Sequence, residues 1–173
     1  MRLQLMGYTN FTPLVRSEEA IVEQMKEIGI EMYIQNEDFS VLFGGWSDRA
    51  PNKIGDFDIQ FNDWGFEGDP QNVVFRMYHS SQIPSADNPE GYDIFRWRNE
   101  KADEAIETAG SNLDIETRKT AYCTLAEEIN RDVVDVFFYL FLNGNGYNKK
   151  VHGYTIGIYG SLSWDAENWW IEQ

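Results

Sequence analysis

Cysteine is nearly missing from this chain: Cys123 stands alone among 173 residues, so no intrachain disulfide can staple the fold. A single cysteine inside a helical pattern is expected to be a buried thiol. Histidine is almost as scarce, and His79 and His152 lie far apart with no cysteine or second histidine at ligand spacing. That excludes the usual zinc patterns, and no serine sits in a nucleophile-elbow motif. We therefore expect no catalytic residue, no metal site and no cofactor. Basic side chains are also few, 14 Lys plus Arg against 29 Asp plus Glu, for a formal charge of -15. Such a balance argues against nucleic acid or an anionic membrane as partner. No apolar run approaches the length of a membrane span, and the amino terminus lacks the order of a signal peptide. Either the protein is cytosolic or the chain is an excised piece.

Aromatic residues, in contrast, are plentiful at 15%, with six Trp and nine Tyr. That is more ring surface than a core of this size needs, so some rings should face a ligand or partner. They concentrate usefully in the stretch 55–70. There Phe57, Ile59 and Phe61 alternate with Asp58, Gln60 and Asn62, the period of a strand that we expect to be buried. Gly65, Gly68 and Pro70 stop it and leave a turn carrying Trp64, Phe66 and Glu67.

The rest of the sequence reads as alternating elements. Arg2–Tyr8 has a strand rhythm, a loop through Pro13 follows, and Ser17–Ile28 places Ile21, Met25 and Ile28 on one helical face before Gly29 ends it. Ile30–Gln35 restarts as a strand, so the three segments form a βαβ unit with parallel pairing. Asp38 caps a short helix bearing Phe39, and residues 55–62 add a third strand. After Pro70 come a short helix with Val73, Val74 and Met77, a surface loop over 80–91, and helices at 99–109, closed by Gly110, and 114–133. Val134–Leu142 is the most apolar segment and is expected to be a largely buried strand completing the core. Asn143-Gly144-Asn145-Gly146 is turn chemistry, and the aromatic remainder has no firm period. The architecture expected is one lobe of α/β type with a mixed, mainly parallel sheet flanked by helices.

The turn at 64–67 supplies a ring platform and a carboxylate at a sheet's carboxyl end, where α/β proteins bind ligands. A lid over the core with a solvated acid is the plain alternative. Asp56, Asp58, Asp63, Glu67 and Asp69 lack the spacing of a calcium loop or a hydrolytic pair. Phe95-Arg96-Trp97-Arg98 is the one basic and aromatic knot, and Arg96 either meets a ligand carboxylate or pairs with local acids.

In their order and separations, segments 16–30, 55–58, 64–70, 99–106, 114–118 and the apolar stretch ending at Tyr139 resemble the peptide-type extracellular solute-binding proteins of bacterial ABC importers, family 5. The resemblance implies the carboxyl-terminal lobe, residues 1–143, of a two-lobed, type II periplasmic-binding-protein-like receptor. Residues 144–173 would be a return segment packing toward a first lobe that lies outside this sequence. It implies a small peptide as ligand, an ABC permease as partner, and a periplasmic or extracellular, membrane-associated lipoprotein whose signal peptide lies elsewhere. An oligosaccharide is the alternative ligand, since some relatives take sugars or nickel complexes. In the peptide receptors an acid three residues after the matching Trp holds the ligand's amino terminus, and Glu67 occupies that position. Phe39 matches a cavity-lining ring, Gly65 a residue whose backbone pairs with an extended peptide, and Tyr139 a tyrosine ending the last strand, with Trp64 and Phe66 as walls. Backbone pairing of that kind binds peptides with little sequence preference. Two other classes remain open: a glycan-active enzyme, which needs two carboxylates about 5 to 10 Å apart, and an interaction domain using the aromatic tail.

Overall fold

The computed structural model describes residues 2–65, 68–140, 144, 146–157 and 163–172. Strand β1 (Arg2–Met6) leads into helix α1 (Thr12–Glu27) and then strand β2 (Glu31–Ile34). β1 and β2 pair in parallel, Leu3 opposite Met32 and Leu5 opposite Ile34, so the βαβ expectation holds. Helix α1 begins earlier than expected. Pro13 lies in its first turn, where the missing N–H costs nothing, so that residue opens a helix and does not belong to a loop. Gly29 closes it at φ 83°, a left-handed conformation that favours glycine.

Two one-turn helices follow, α2 (Phe39–Leu42) and α3 (Pro51–Ile54), and strand β3 (Ile59–Gln60) then joins the free side of β1. The sheet order is β2-β1-β3, all parallel. β3 is shorter and less covered than its alternation suggested: only two residues pair, and Ile59 stays exposed. The stretch was expected to be buried, but hydrophobic alternation reports which face a residue takes, not how much of that face is covered.

After β3 the chain forms a group of helices, α4 (Gln71–Tyr78), α5 (Glu100–Ser111) and α6 (Ile115–Asp132). Asn99 caps α5 by accepting from the Ala102 amide, and Asp114 caps α6 by accepting from that of Thr117. Ala102, Ala105, Ala109 and Ala121 are buried; side chains this small let α5 and α6 approach closely. Their seam joins Val74, Met77 and Tyr78 of α4 with Ile106, Leu125 and Ile129 in one core. Helix α5 runs through Gly110, which was expected to end it. A side chain there would meet the Gln71 amide at 2.4 Å, so the glycine serves a close approach inside the helix. The 80–91 segment is less superficial than expected, because Pro84 and Gly91 are buried within it.

The largest departure concerns 134–142. Residues 134–140 form no strand and are mostly exposed, Val136 by 72% and Leu140 by 90%. Apolar composition requires a cover but does not supply one: Phe138 reaches Phe61 beyond β3 at 5.6 Å, yet the segment adds no strand to the sheet. Residues 141 and 142 lie outside the described residues. Cys123, expected to be buried, is exposed on α6, because the helical repeat that buries Leu125 and Ile129 turns position 123 outward. In the tail, β4 (Val151–His152) and β5 (Trp170–Ile171) pair antiparallel. His152 stacks on Trp170 at 4.2 Å.

Candidate functional site

All three parallel strands end on the same edge of the sheet, and the chain leaves that edge through polar and aromatic residues. β1 continues into Gly7 and Tyr8, and Tyr8 still pairs with Glu37 beyond β2. After β2, Asp38 accepts hydrogen bonds from the Ser40 amide at 2.9 Å and its hydroxyl at 2.6 Å, starting α2. That cap fixes the direction of Phe39, whose ring is 56% exposed. One helical turn on, Phe43 stacks against it at 4.6 Å. Tyr8 meets Phe39 at 5.4 Å and Phe43 at 6.4 Å edge-on and stacks on Phe11 at 6.1 Å. These separations suit ring pairs, and together they make a wall at the strand ends.

The Tyr8 hydroxyl donates to Asp63, which follows β3. Burial first, and the neighbouring Asp63 carboxylate second, push the Tyr8 phenol well above its ordinary range, so it stays a proton donor. Tyr139 approaches from the exposed apolar segment, its hydroxyl 3.5 Å from that of Ser17 on α1. Phe138 beside it meets Phe61 edge-on at 5.6 Å.

A buried polar relay holds the end of β1 from behind. The Gly7 amide donates to Asn36 at 2.9 Å, and Asn36 donates to Glu18 at 2.6 Å. Glu18 is 0% exposed. Burial raises its pKa against the lowering effect of Asn36. Its second oxygen has no partner among the described residues. A side chain on Gly7 would come within 1.9 Å of that oxygen, so only glycine lets the relay reach the strand.

The structure sorts the sequence-derived candidates. Phe39 and Tyr139 stand at the strand ends. Trp64 turns away from the wall, meeting Tyr92 edge-on at 5.3 Å and packing on the helical core, and its indole N–H is buried without a partner among the described residues. Gly65 is exposed, with open space where a side chain would be. Phe66 and Glu67 lie outside the described residues. Arg96 lies elsewhere, donating to the backbone carbonyls of Pro84 at 3.1 Å and of Lys53. The acids are dispersed: Asp58 accepts from the Gln4 amide at 2.8 Å, and Asp69 accepts from Arg118 at 2.6 Å. Arg118 also donates to Tyr122 at 3.0 Å, and Tyr122 to Gln71. This network fixes the far side of the Trp64 turn to α6. The sequence candidates did not include Tyr8, Phe43 or Ser17, nor the hydrogen bond from Tyr8 to Asp63. The signal was available for Tyr8, which ends the central strand of a βαβ unit.

A second concavity of about 570 Å³ lies between α5 and α6, lined by Lys101, Glu104, Thr108, Thr117, Thr120 and Thr124. It is remote from the strand ends along the chain. No three His, Cys, Asp or Glu side chains gather as a metal site among the described residues.

The chain thus folds as an open parallel sheet with rings and hydroxyls at its carboxyl edge, the edge at which ligands bind in α/β sheets of this kind. The solved structures that share this fold are bacterial binding proteins. NikZ from Campylobacter jejuni, in complex with Ni(L-His), superposes with a TM-score of 0.73 at 21% identity over 97% of this chain and 33% of its own. The oligopeptide-binding protein AppA from Bacillus subtilis, in complex with a nonapeptide, gives 0.68 at 21% identity over 99% and 32%. The ABC transporter-associated periplasmic binding protein DppA from Helicobacter pylori, in complex with the peptide STSA, gives 0.62 at 16% over 77% and 24%. No protein-family model and no curated protein matches the sequence. The chain spans about a third of the length of the first two of these proteins, and what it shares with them is the fold of one part.

Proposed function

We propose that this chain is one lobe of a non-enzymatic solute receptor that binds small peptides and delivers them to an ABC permease outside the cytoplasm. The observation that carries the reading is the wall of Tyr8, Phe39 and Phe43, with Phe39 exposed, at the carboxyl edge of a parallel sheet, together with the open backbone of Gly65 in the turn after β3. An accessible glycine backbone offers an extended peptide the donors and acceptors of a strand, which favours binding with little sequence preference. The shared fold with proteins solved on a nonapeptide and on STSA supports the same ligand class. In this reading Glu67 holds the peptide's amino terminus, Phe39 and Phe66 line the cavity, and Tyr139 closes its margin. Residues 1–143 form the binding lobe, 144–173 reach toward the other lobe, and the exposed segment 134–140 is covered in the complete receptor.

Titration calorimetry of the chain with trialanine, and with maltotriose as the sugar counterpart, tests this. Heat with trialanine that is lost in Glu67→Ala is expected. Binding of maltotriose alone would replace the peptide by a sugar, and unchanged peptide binding in Glu67→Ala would remove the amine anchor.

A further inference from the structure

We propose that Asp63, oriented by Tyr8, forms a second, cation-selective subsite that takes a ligand's ammonium or guanidinium side chain, in addition to the amine anchor proposed for Glu67. The inference rests on the solute-binding reading and adds a specificity to it. Asp63 is exposed and stands where β3 delivers the chain to the sheet edge. Its described partner is the Tyr8 hydroxyl, and no Lys or Arg pairs with it among the described residues. A carboxylate offers roughly four lone-pair positions. One taken by a phenol leaves the others for a charged donor.

The surroundings favour a cation over any other group. The Tyr139 phenol lies close enough to act on the Tyr8 hydroxyl, and it stands 3.5 Å from the Ser17 hydroxyl, so the side on which Tyr8 meets Asp63 is polar. Tyr8 joins the polar and apolar parts, since its hydroxyl binds Asp63 while its ring packs on Phe39. The exposed Phe39 face therefore suits the methylenes of a lysine or arginine stem or the cation itself. The same stretch holds unfinished hydrogen bonding: both amide atoms of Gln60 are buried without partners among the described residues. Orphaned polar groups of this kind mark a place where a further group or water completes the network. A formal charge of -15 adds long-range attraction for cations and repels anionic ligands.

The test uses the 173-residue chain and two blocked tripeptides that carry no free amino terminus, acetyl-Ala-Lys-Ala-amide and acetyl-Ala-norleucine-Ala-amide. Binding is read by aromatic and backbone NMR shifts at low ionic strength. The lysine peptide is expected to bind about fivefold more tightly, the size of an exposed charge pair aided by a ring. The preference should shrink in about 0.5 M salt. Asp63→Asn should abolish it and Tyr8→Phe should reduce it, while Glu67→Gln leaves it in place. The wild-type comparison needs no variant, and circular dichroism checks that each variant folds. Equal affinity for the two peptides, or a preference that survives Asp63→Asn, overturns the subsite but leaves solute binding standing. Failure of both peptides and of trialanine to shift any residue at the sheet edge overturns both.

Discussion

Gly7 and Glu18 provide a direct check on how the binding edge is built. A methyl group added at Gly7 would lie 1.9 Å from a Glu18 carboxyl oxygen and 2.8 Å from a Leu14 methyl. Because Glu18 is fully buried and held by Asn36 at 2.6 Å, it cannot swing into solvent without breaking that relay. Gly7→Ala should therefore cost about 1–3 kcal/mol as overpacking, less a few tenths gained from a stiffer unfolded chain. Glu18→Ala leaves the Asn36 donor unsatisfied and opens a small void, at about 1–3 kcal/mol. In the double variant the methyl group added at Gly7 occupies space that the carboxyl has left. The two costs should then fall short of their sum by roughly 1–2 kcal/mol, well beyond the few tenths expected of independent sites. Urea denaturation of the four proteins, followed by circular dichroism with a common slope, measures this. Additive costs would show that Glu18 does not contact Gly7, and the account of why β1 ends in glycine would fail.

Asp93 is fully buried, and burial raises its pKa to about 7 although the amides of Phe95, Arg96 and Trp97 point at it without closing full hydrogen bonds. A raised carboxyl contributes stability below its unfolded value that is lost as pH climbs through about 7, so the wild type should lose stability from pH 4 to 8, by at most ~4 kcal/mol at ~1.4 kcal/mol per unit. Asp93→Asn should flatten that slope in thermal melts, and an unchanged slope would contradict the assignment. Glu128 is buried between Lys101 at 2.8 Å, Asn99 at 3.0 Å and Arg131, while both cations are more than half exposed. Glu128→Gln should cost about 2 kcal/mol, since the cations can rehydrate, whereas Lys101→Met with Arg131→Met strands the carboxylate and should cost about 3–5 kcal/mol. The reverse order in denaturant titrations would refute the argument. Ile106→Ala, at a fully buried site in the helical core, should cost about 2–5 kcal/mol by the same measurement.

Elements whose signals are local were legible in the sequence. Asn99 and Asp114 announce α5 and α6 as caps, and the spacing of Ile21 and Met25 falls within α1, although Ile28, expected on the same face, is 70% exposed just past its end. What escaped depended on partners distant in the chain. Pro13 and Gly110 carry signals that also mean helix start and close approach, and only the Gln71 amide decides the second. The apolar run at 134–140 could be read as needing cover, but not as lacking it. Phe39 and Tyr139 were singled out in the sequence for their rings, while Tyr8 and Asp63 meet across 55 positions, a pairing no local pattern contains. Trp64 was noticed for its ring, yet the side it faces is set by Tyr92 and the helical core.

The central claim is that the carboxyl edge of the parallel sheet is where solute binds. Backbone and aromatic NMR shifts of the 173-residue chain titrated with trialanine test it most directly. The account predicts that the largest changes fall on Tyr8, Phe39, Asp63 and Gly65. Changes confined to Thr108, Thr117 and Thr120 in the concavity between α5 and α6 would contradict it.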